Sequence, residues 1–320
     1  GRFYMPIFEE ALEAYGLPLE LKYLPVIESA LNPKAVSRVG ATGLWQFMLT
    51  TGKQYGLEVN SLVDERRDPI KASYAAAHYL KDLYSIFGDW SLVIASYNCG
   101  PGNINKAIHR AQAASKDSVV NVKDYWHIYP YLPKETRGYV PAFIAANYIM
   151  TYYSAHNICP LRTKLPLKTD TVVVSRNVHL EQIAGVLGLD IDMLRTLNPE
   201  YRRDIVPGLT KPSAIKLAMN DVTRFIDNQD SIYNYRADEL LTKRAEVTIN
   251  DDVPTYVSKK KKTVRRRSTV RGRKAKASRS KKTTARSKRA TAKKRTTARK
   301  KTTARKAPAK KKTTAKKRRR

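Results

Sequence analysis

Glu28 is the first residue in the chain whose type and neighbours suggest chemistry. Leu21, Leu24 and Glu28 fall at spacings of three and four, with Val26, Ile27 and Leu31 close by. A helix through this stretch therefore brings one carboxyl out of an otherwise apolar stripe. Burial among apolar groups disfavours the charged form of a carboxyl and raises its pKa, so it still holds a proton to donate at neutral pH. Those are the requirements of a general acid. A single Glu beside an apolar face is more often a surface residue whose head reaches water, so Glu28 needs support from elsewhere in the chain.

That support comes from three further segments. Glu28-Ser29 is followed by Asn32-Pro33, by Ser37 and by Gly40-Ala41-Thr42-Gly43-Leu44-Trp45-Gln46-Phe47-Met48. Downstream stand Ser96-Tyr97-Asn98-Cys99-Gly100-Pro101-Gly102 and Glu135-Thr136-Arg137-Gly138-Tyr139-Val140-Pro141. In this order they resemble the lysozyme-like soluble and membrane-bound lytic transglycosylases. There a Glu-Ser pair precedes a Gly-Leu-Met/Trp-Gln motif, an Ala-Tyr-Asn motif and a segment that brings a tyrosine near the glutamate. Trp45 in the second motif is most similar to the type D membrane-bound murein transglycosylases, which carry LysM domains downstream.

The resemblance implies a bacterial enzyme, a lyase, that cuts the bond between N-acetylmuramic acid and N-acetylglucosamine in peptidoglycan strands. Most glycosidases use two carboxylates, and the motifs here supply one. By resemblance, Glu28 protonates the bond and then, as a base, removes the proton of the muramoyl 6-hydroxyl, giving a 1,6-anhydro product without consuming water. The same matching implies that Ser37 contacts substrate near the glutamate. It further implies that Gln46 and Met48 line the groove, that Tyr97 and Asn98 form the third motif, and that Tyr139 bonds to Glu28. Ser29 is expected to support its helix rather than touch sugar. Cys99 departs from the pattern, where a small alanine is usual.

Other chemistries find less in the chain. There is no Gly-x-Ser-x-Gly, and Gly52-Lys53 lacks the glycine a phosphate loop requires, Phe47 standing in its place. The five histidines are scattered, so neither a metal nor a cofactor is expected. Pairing Cys99 with His109 or His127 would make a thiol hydrolase, but nothing in the spacing fixes such a geometry. Two functional rivals stand beside the main reading: a hydrolytic muramidase of the goose type, and a nucleic-acid or other polyanion binder acting through a basic tail.

The elements expected to position these residues are helical, and the fold class is mainly α. Helices are expected over Pro6–Tyr15, Leu19–Leu31 with a kink at Pro25, Leu44–Tyr55, Pro69–Phe87, Trp90–Tyr97, Asn103–Ala113 and Tyr139–Tyr153. In the fourth, Ala72, Ala76, Tyr79, Leu80, Leu83 and Phe87 form a core-facing stripe. Thr171–Val174, Leu180–Leu187, Ile191–Leu197 and Ala214–Met219 then read as strand, helix, helix and strand. This resembles a LysM module through Leu180-Glu181-Gln182-Ile183-Ala184, Leu194 and Asn198-Pro199, and departs from it at Ser175-Arg176-Asn177-Val178-His179. The expected organisation is a lysozyme-like catalytic domain over 1–159, a linker over 160–170, a βααβ domain over 171–220, a linker or helical extension over 221–257, and a tail over 258–320.

The tail carries the charge. Of 61 Lys and Arg, 33 lie between Ser258 and Arg320, which contain no acid, leaving 28 bases against 28 acids in the body. The tail repeats Thr-Thr-Ala-Arg or Thr-Thr-Ala-Lys and has no aromatics, so disorder and salt-sensitive binding to anionic envelope polymers or other polyanions are expected. Cys99 and Cys159 are too few for a disulfide framework. No apolar run is long enough to span a bilayer. The expected setting is a periplasmic monomer of the bacterial envelope, with any export signal or lipid anchor upstream of Gly1.

Overall fold

The computed structural model describes residues 3–115, 124–160, 165–166 and 168–242. They belong to one compact unit, Gly1–Ser258. The basic tail over 258–320 lies outside the described residues, and with it the expectation of disorder there.

The first part is a helical bundle: α1 Met5–Ala14, α2 Leu24–Ser29, α3 Leu49–Gln54, α4 Pro69–Phe87, α5 Trp90–Cys99, α6 Pro101–Ala114, α7 Tyr125–Ile128, α8 Lys134–Arg137 and α9 Tyr139–Thr151. Helix α4 is its axis. Asp68 caps it by accepting from the Ile70 and Lys71 amides at 2.8 and 3.0 Å, Pro69 fits its first turn, and Gly88 closes it in a left-handed conformation. Its stripe of Ala72, Ala76, Leu80 and Leu83 is buried against α1 and α5, which contribute Phe8, Leu12, Leu92 and Val93. Asp89 caps α5 by accepting from the Leu92 amide, so the Gly88-Asp89 pair ends one helix and starts the next.

Two expected helices are shorter than the periodicity suggested. The stretch from Leu19 forms a 3-10 turn to Tyr23 before α2 begins, and Pro25 sits in the first turn of α2 rather than kinking its middle. The helix ends at Ser29, because Ala30 and Leu31 adopt positive φ of 50° and 62°. Leu44–Phe47 is a tight turn instead of helix. Thr42 bridges both Val36 and Phe47, and Gly43 and Gln46 take positive φ, so α3 starts only at Leu49.

The second part holds β1 Thr169–Val174, β2 Asn177–His179, α10 Leu180–Leu187, α11 Ile191–Leu197, β3 Ile205–Pro207 and β4 Ser213–Ala218. Strands β1 and β4 pair antiparallel from Thr169 opposite Ala218 to Val174 opposite Ser213, putting Val172, Val174, Ile215 and Leu217 on the buried face. The β2–β3 pair, with Val178 opposite Val206, has no counterpart in the expected pattern because three residues are too few for alternation to register. His179 in the divergent segment caps α10, reciprocated by Gln182. Helices α12 Met219–Asp227, α13 Gln229–Asn234 and α14 Ala237–Leu240 occupy the start of the expected extension, and Phe225 and Ile232 are fully buried in the second core.

The two parts are joined by backbone pairing. Val63 bridges Tyr201, the Asp64 amide donates to the Glu200 carbonyl at 2.9 Å, and the Arg202 amide donates to the Leu62 carbonyl at 2.8 Å. Leu62 and Val63 are buried within the second core.

Candidate active site

The strained turn after α2 fixes where Glu28 ends up. Ser29 shares its hydroxyl between the Pro25 carbonyl at 3.0 Å and the Leu44 carbonyl at 2.9 Å, which ties the end of α2 to the Gly43-Leu44-Trp45-Gln46 turn. Glu28, one residue earlier, is half-buried. Its Oε1 accepts a hydrogen bond from the Tyr139 hydroxyl at the start of α9. Burial pushes the Glu28 carboxyl up to about 7; the Tyr139 bond opposes that rise and the nearby charge of Glu135 adds to it.

The turn carrying Gln46 is held from several sides. Trp45 is fully buried, donates from its indole to the Ser73 hydroxyl at 2.9 Å and packs edge-on to Phe8. Gly43, at φ +89°, lies so close to the neighbouring chain that a Cβ there would sit 1.8 Å from the Arg66 carbonyl oxygen. The Gln46 amide nitrogen donates to the Gly43 carbonyl at 2.8 Å and to the Ala35 carbonyl at 3.3 Å, leaving Oε1 as its acceptor.

Gln46, Met48, Tyr97 and Asn98 line one cleft, together with Tyr79 and Cys99. Tyr97 donates to the Trp45 carbonyl at 2.8 Å; burial raises its hydroxyl pKa well above the ordinary value, and the charge of Glu28 adds to the rise. Asn98 accepts from the Thr136 hydroxyl at 2.9 Å. Ser37 does not line this cleft: its Oγ accepts from the Ala41 amide at 3.0 Å and caps its own turn. Of the expected site residues, Tyr139 alone bonds to Glu28, and Tyr97 is close enough to feel its charge.

Residues 5–120 match the transglycosylase SLT domain, and residues 168–234 match the LysM-like domain of lytic transglycosylase MltD. The chain carries an SLT domain followed by an MltD-type LysM-like domain. Over 184 residues it is 34% identical to membrane-bound lytic murein transglycosylase D of Escherichia coli K12, covering 57% of this chain and 39% of the relative. It is 33% identical over 131 residues to the soluble lytic murein transglycosylase of the same strain, covering 39% of this chain and 19% of that one. The crystal structure of the 70-kDa soluble lytic transglycosylase from Escherichia coli aligns at 27% identity with a TM-score of 0.39, covering 47% of this chain and 24% of that one. The chain thus spans about two-fifths of the length of the type D relative.

Sequence reasoning missed three residues that shape this site. Arg66, buried, donates to the Gly40 carbonyl at 3.1 Å and the Phe47 carbonyl at 3.2 Å, closing both ends of the Gln46 turn. Asp64 holds the other edge of that guanidinium through two bonds of 2.9 Å. Tyr125, fully buried, donates to the Arg137 carbonyl at 2.8 Å and so fixes the segment leading to Tyr139, which lies beyond the matched span. The short Asp64-Glu65-Arg66 spacing is the one signal for the ion pair; nothing in sequence points Arg66 at carbonyls 19 and 26 residues away. Among the described residues no group of acids, histidines and cysteines is arranged to hold a metal, and no helix is long and apolar enough to cross a membrane.

Proposed function

We propose that this protein is a peptidoglycan lytic transglycosylase in which Glu28 acts first as acid and then as base. One observation carries the reading: a carboxyl pushed up to about 7 by burial and steadied by Tyr139 through Oε1. A value near neutrality lets one group release and then regain a proton within a single cycle.

Glu28 protonates the glycosidic oxygen as the bond from that oxygen to the muramoyl anomeric carbon breaks. The resulting carboxylate takes the proton of the muramoyl 6-hydroxyl while that oxygen bonds to the same carbon. The acid is restored, the ring closes as a 1,6-anhydro sugar, and no water enters. Tyr139 occupies Oε1, which leaves Oε2 for both proton transfers. Ser37, Gln46, Met48, Tyr97 and Asn98 contact the strand in this reading. Digested peptidoglycan should yield fragments one water lighter than hydrolysis products by mass spectrometry. Fragments with a reducing-end muramic acid would assign the site to a hydrolase.

The LysM-like part grips the same strand, and the protein works as a monomer on the periplasmic side of the envelope. The charge of the tail supports docking to anionic envelope polymers. Removing residues 258–320 should weaken binding to isolated envelopes at low salt, and unchanged binding would refute that role.

A further inference from the structure

The cleft presents two amide side chains, and their orientations are set by different neighbours. Gln46 spends its N–H donors on the Gly43 and Ala35 carbonyls and so offers an acceptor. Asn98 is held the opposite way round. The Thr136 hydroxyl donates to its Oδ1 at 2.9 Å, and its Nδ2 has no protein partner among the described residues. Thr136 is almost wholly buried, at 1% exposure, and lies on α8, a separate element from the α5 helix that carries Asn98. Its backbone is fixed as well, since the Tyr125 hydroxyl bonds the adjacent Arg137 carbonyl at 2.8 Å and the Thr136 carbonyl more weakly at 3.4 Å.

An asparagine amide can turn over and exchange its donor and acceptor at little cost unless a neighbour dictates the choice. A hydroxyl can give a proton or receive one, so the direction of its bond to Asn98 depends on its other contacts. The Cys99 thiol is a second hydrogen-bonding neighbour of the Thr136 hydroxyl. Burial raises the thiol's pKa while the Thr136 hydroxyl opposes the rise, but a thiol sulfur is a weak acceptor and does not displace the amide oxygen of Asn98 as the target of the Thr136 proton. The hydroxyl proton is left for Asn98 Oδ1.

We propose that Thr136 is a positioning residue for substrate recognition: by holding Asn98 Oδ1 it turns Asn98 Nδ2 into the cleft as a donor, and so selects glycan that offers an acceptor there, such as an acetamido carbonyl. A sugar whose acetamido group has been hydrolysed to a free ammonium brings a donor to a donor and is disfavoured. Thr136 touches no substrate itself. This rests on the reading of the cleft as a glycan site, and it makes Cys99 a neighbour of the device rather than a nucleophile.

The test is calorimetric binding of N-acetylglucosamine tetramer and of its N-deacetylated counterpart to the full chain carrying Glu28→Gln, which prevents turnover. With Thr136 intact, the acetylated tetramer should bind more tightly. Thr136→Val, which keeps the shape and removes the hydroxyl, should weaken that binding about tenfold and shrink the preference, while Thr136→Ser should restore both. On peptidoglycan, with Glu28 present, Thr136→Val should raise KM by a similar factor and leave kcat nearly unchanged. Unchanged preference in Thr136→Val, or a Ser variant that behaves like the Val variant, would overturn the proposal by reducing Thr136 to packing. Tetramer selection that behaves as described in a protein with no lytic activity would instead count against the proposed reaction and leave the role of Thr136 standing.

Discussion

Two glutamic acids among the described residues are held above the ordinary carboxylate range by burial, Glu28 to about 7 and Glu200 to about 8. Glu28 stands half-buried, with Oε1 bonded to Tyr139; it is not itself in the lining of the cleft, but its charge acts on Tyr97, which is. Glu200 stands where the two parts of the chain meet, at 8% exposure, and its Oε2 has no hydrogen-bond partner among the described residues. Its surroundings are charged: Asp68 pushes its pKa further up, and Lys216 and Lys71 pull it down. On titration behaviour alone Glu200 would be the stronger candidate for an acid. What separates the two is position, because proton transfer needs an oxygen that a reacting group can approach and a neighbour that holds the carboxyl still. A perturbed carboxyl marks burial first and function only when geometry agrees.

The strongest way to break this contrast is to remove each proton in turn. Glu28→Gln keeps the shape and deletes the acid, so lytic activity should fall by about 10²–10⁴, the usual worth of a general acid, with the circular dichroism spectrum unchanged. In the unaltered protein the acid form is lost as pH rises through about 7, so the rate of the protonation step should decline above that pH. Activity in Glu28→Gln within a factor of ten of the parent would transfer the role to another group.

How much of this could be seen in the sequence differs between the two sites. Glu28 was legible because its helix carries a local apolar stripe and because its partners fall in ordered motifs. The Pro69–Phe87 helix was legible from its cap, its first-turn proline and its closing glycine, all of which act over a few residues. The Gln46 turn was misread as helix because Leu44, Trp45 and Phe47 look periodic. What prevents a helix there is long-range: the Arg66 carbonyl against Gly43, and the Arg66 guanidinium on Gly40 and Phe47. Glu200 gave no sign at all, since its burial is created by pairing across the chain, Val63 with Tyr201 and the Asp64 amide with the Glu200 carbonyl.

Gly43 sharpens the contrast because the segment it presses on serves both regions. Asp64-Glu65-Arg66 reaches the Gln46 turn through Arg66 and the junction through the Asp64 amide. Gly43→Ala would put a Cβ 1.8 Å from the Arg66 carbonyl oxygen at a φ that side chains rarely adopt, so backbone must move. A loss of about 3 kcal/mol in unfolding free energy is expected, read by denaturant titration, together with reduced activity in the protein that remains folded. Parent-like stability and activity would mean that the turn relaxes freely and that its shape does not frame the site.

Glu200→Gln should have the smallest effect, and one on stability alone. The folded chain keeps the Glu200 proton up to about 8, whereas an unfolded chain gives it up near the ordinary value of 4.5. Folding therefore takes up a proton between those limits, and stability falls as pH rises through that window, levelling off once both states are ionised. An amide has no proton to lose, so Glu200→Gln should remove this fall. Its Tm should match the parent near pH 4.5 and exceed it near pH 6, by an amount equivalent to about 2 kcal/mol. Lytic activity at neutral pH should not change, because Glu200 lines a separate pocket at the junction that shares no residue with the cleft. Parallel Tm curves would show that the carboxyl at the junction is already ionised and compensated by Lys71 and Lys216. The difference between the two glutamic acids would then begin with their protonation and not only with their access to substrate.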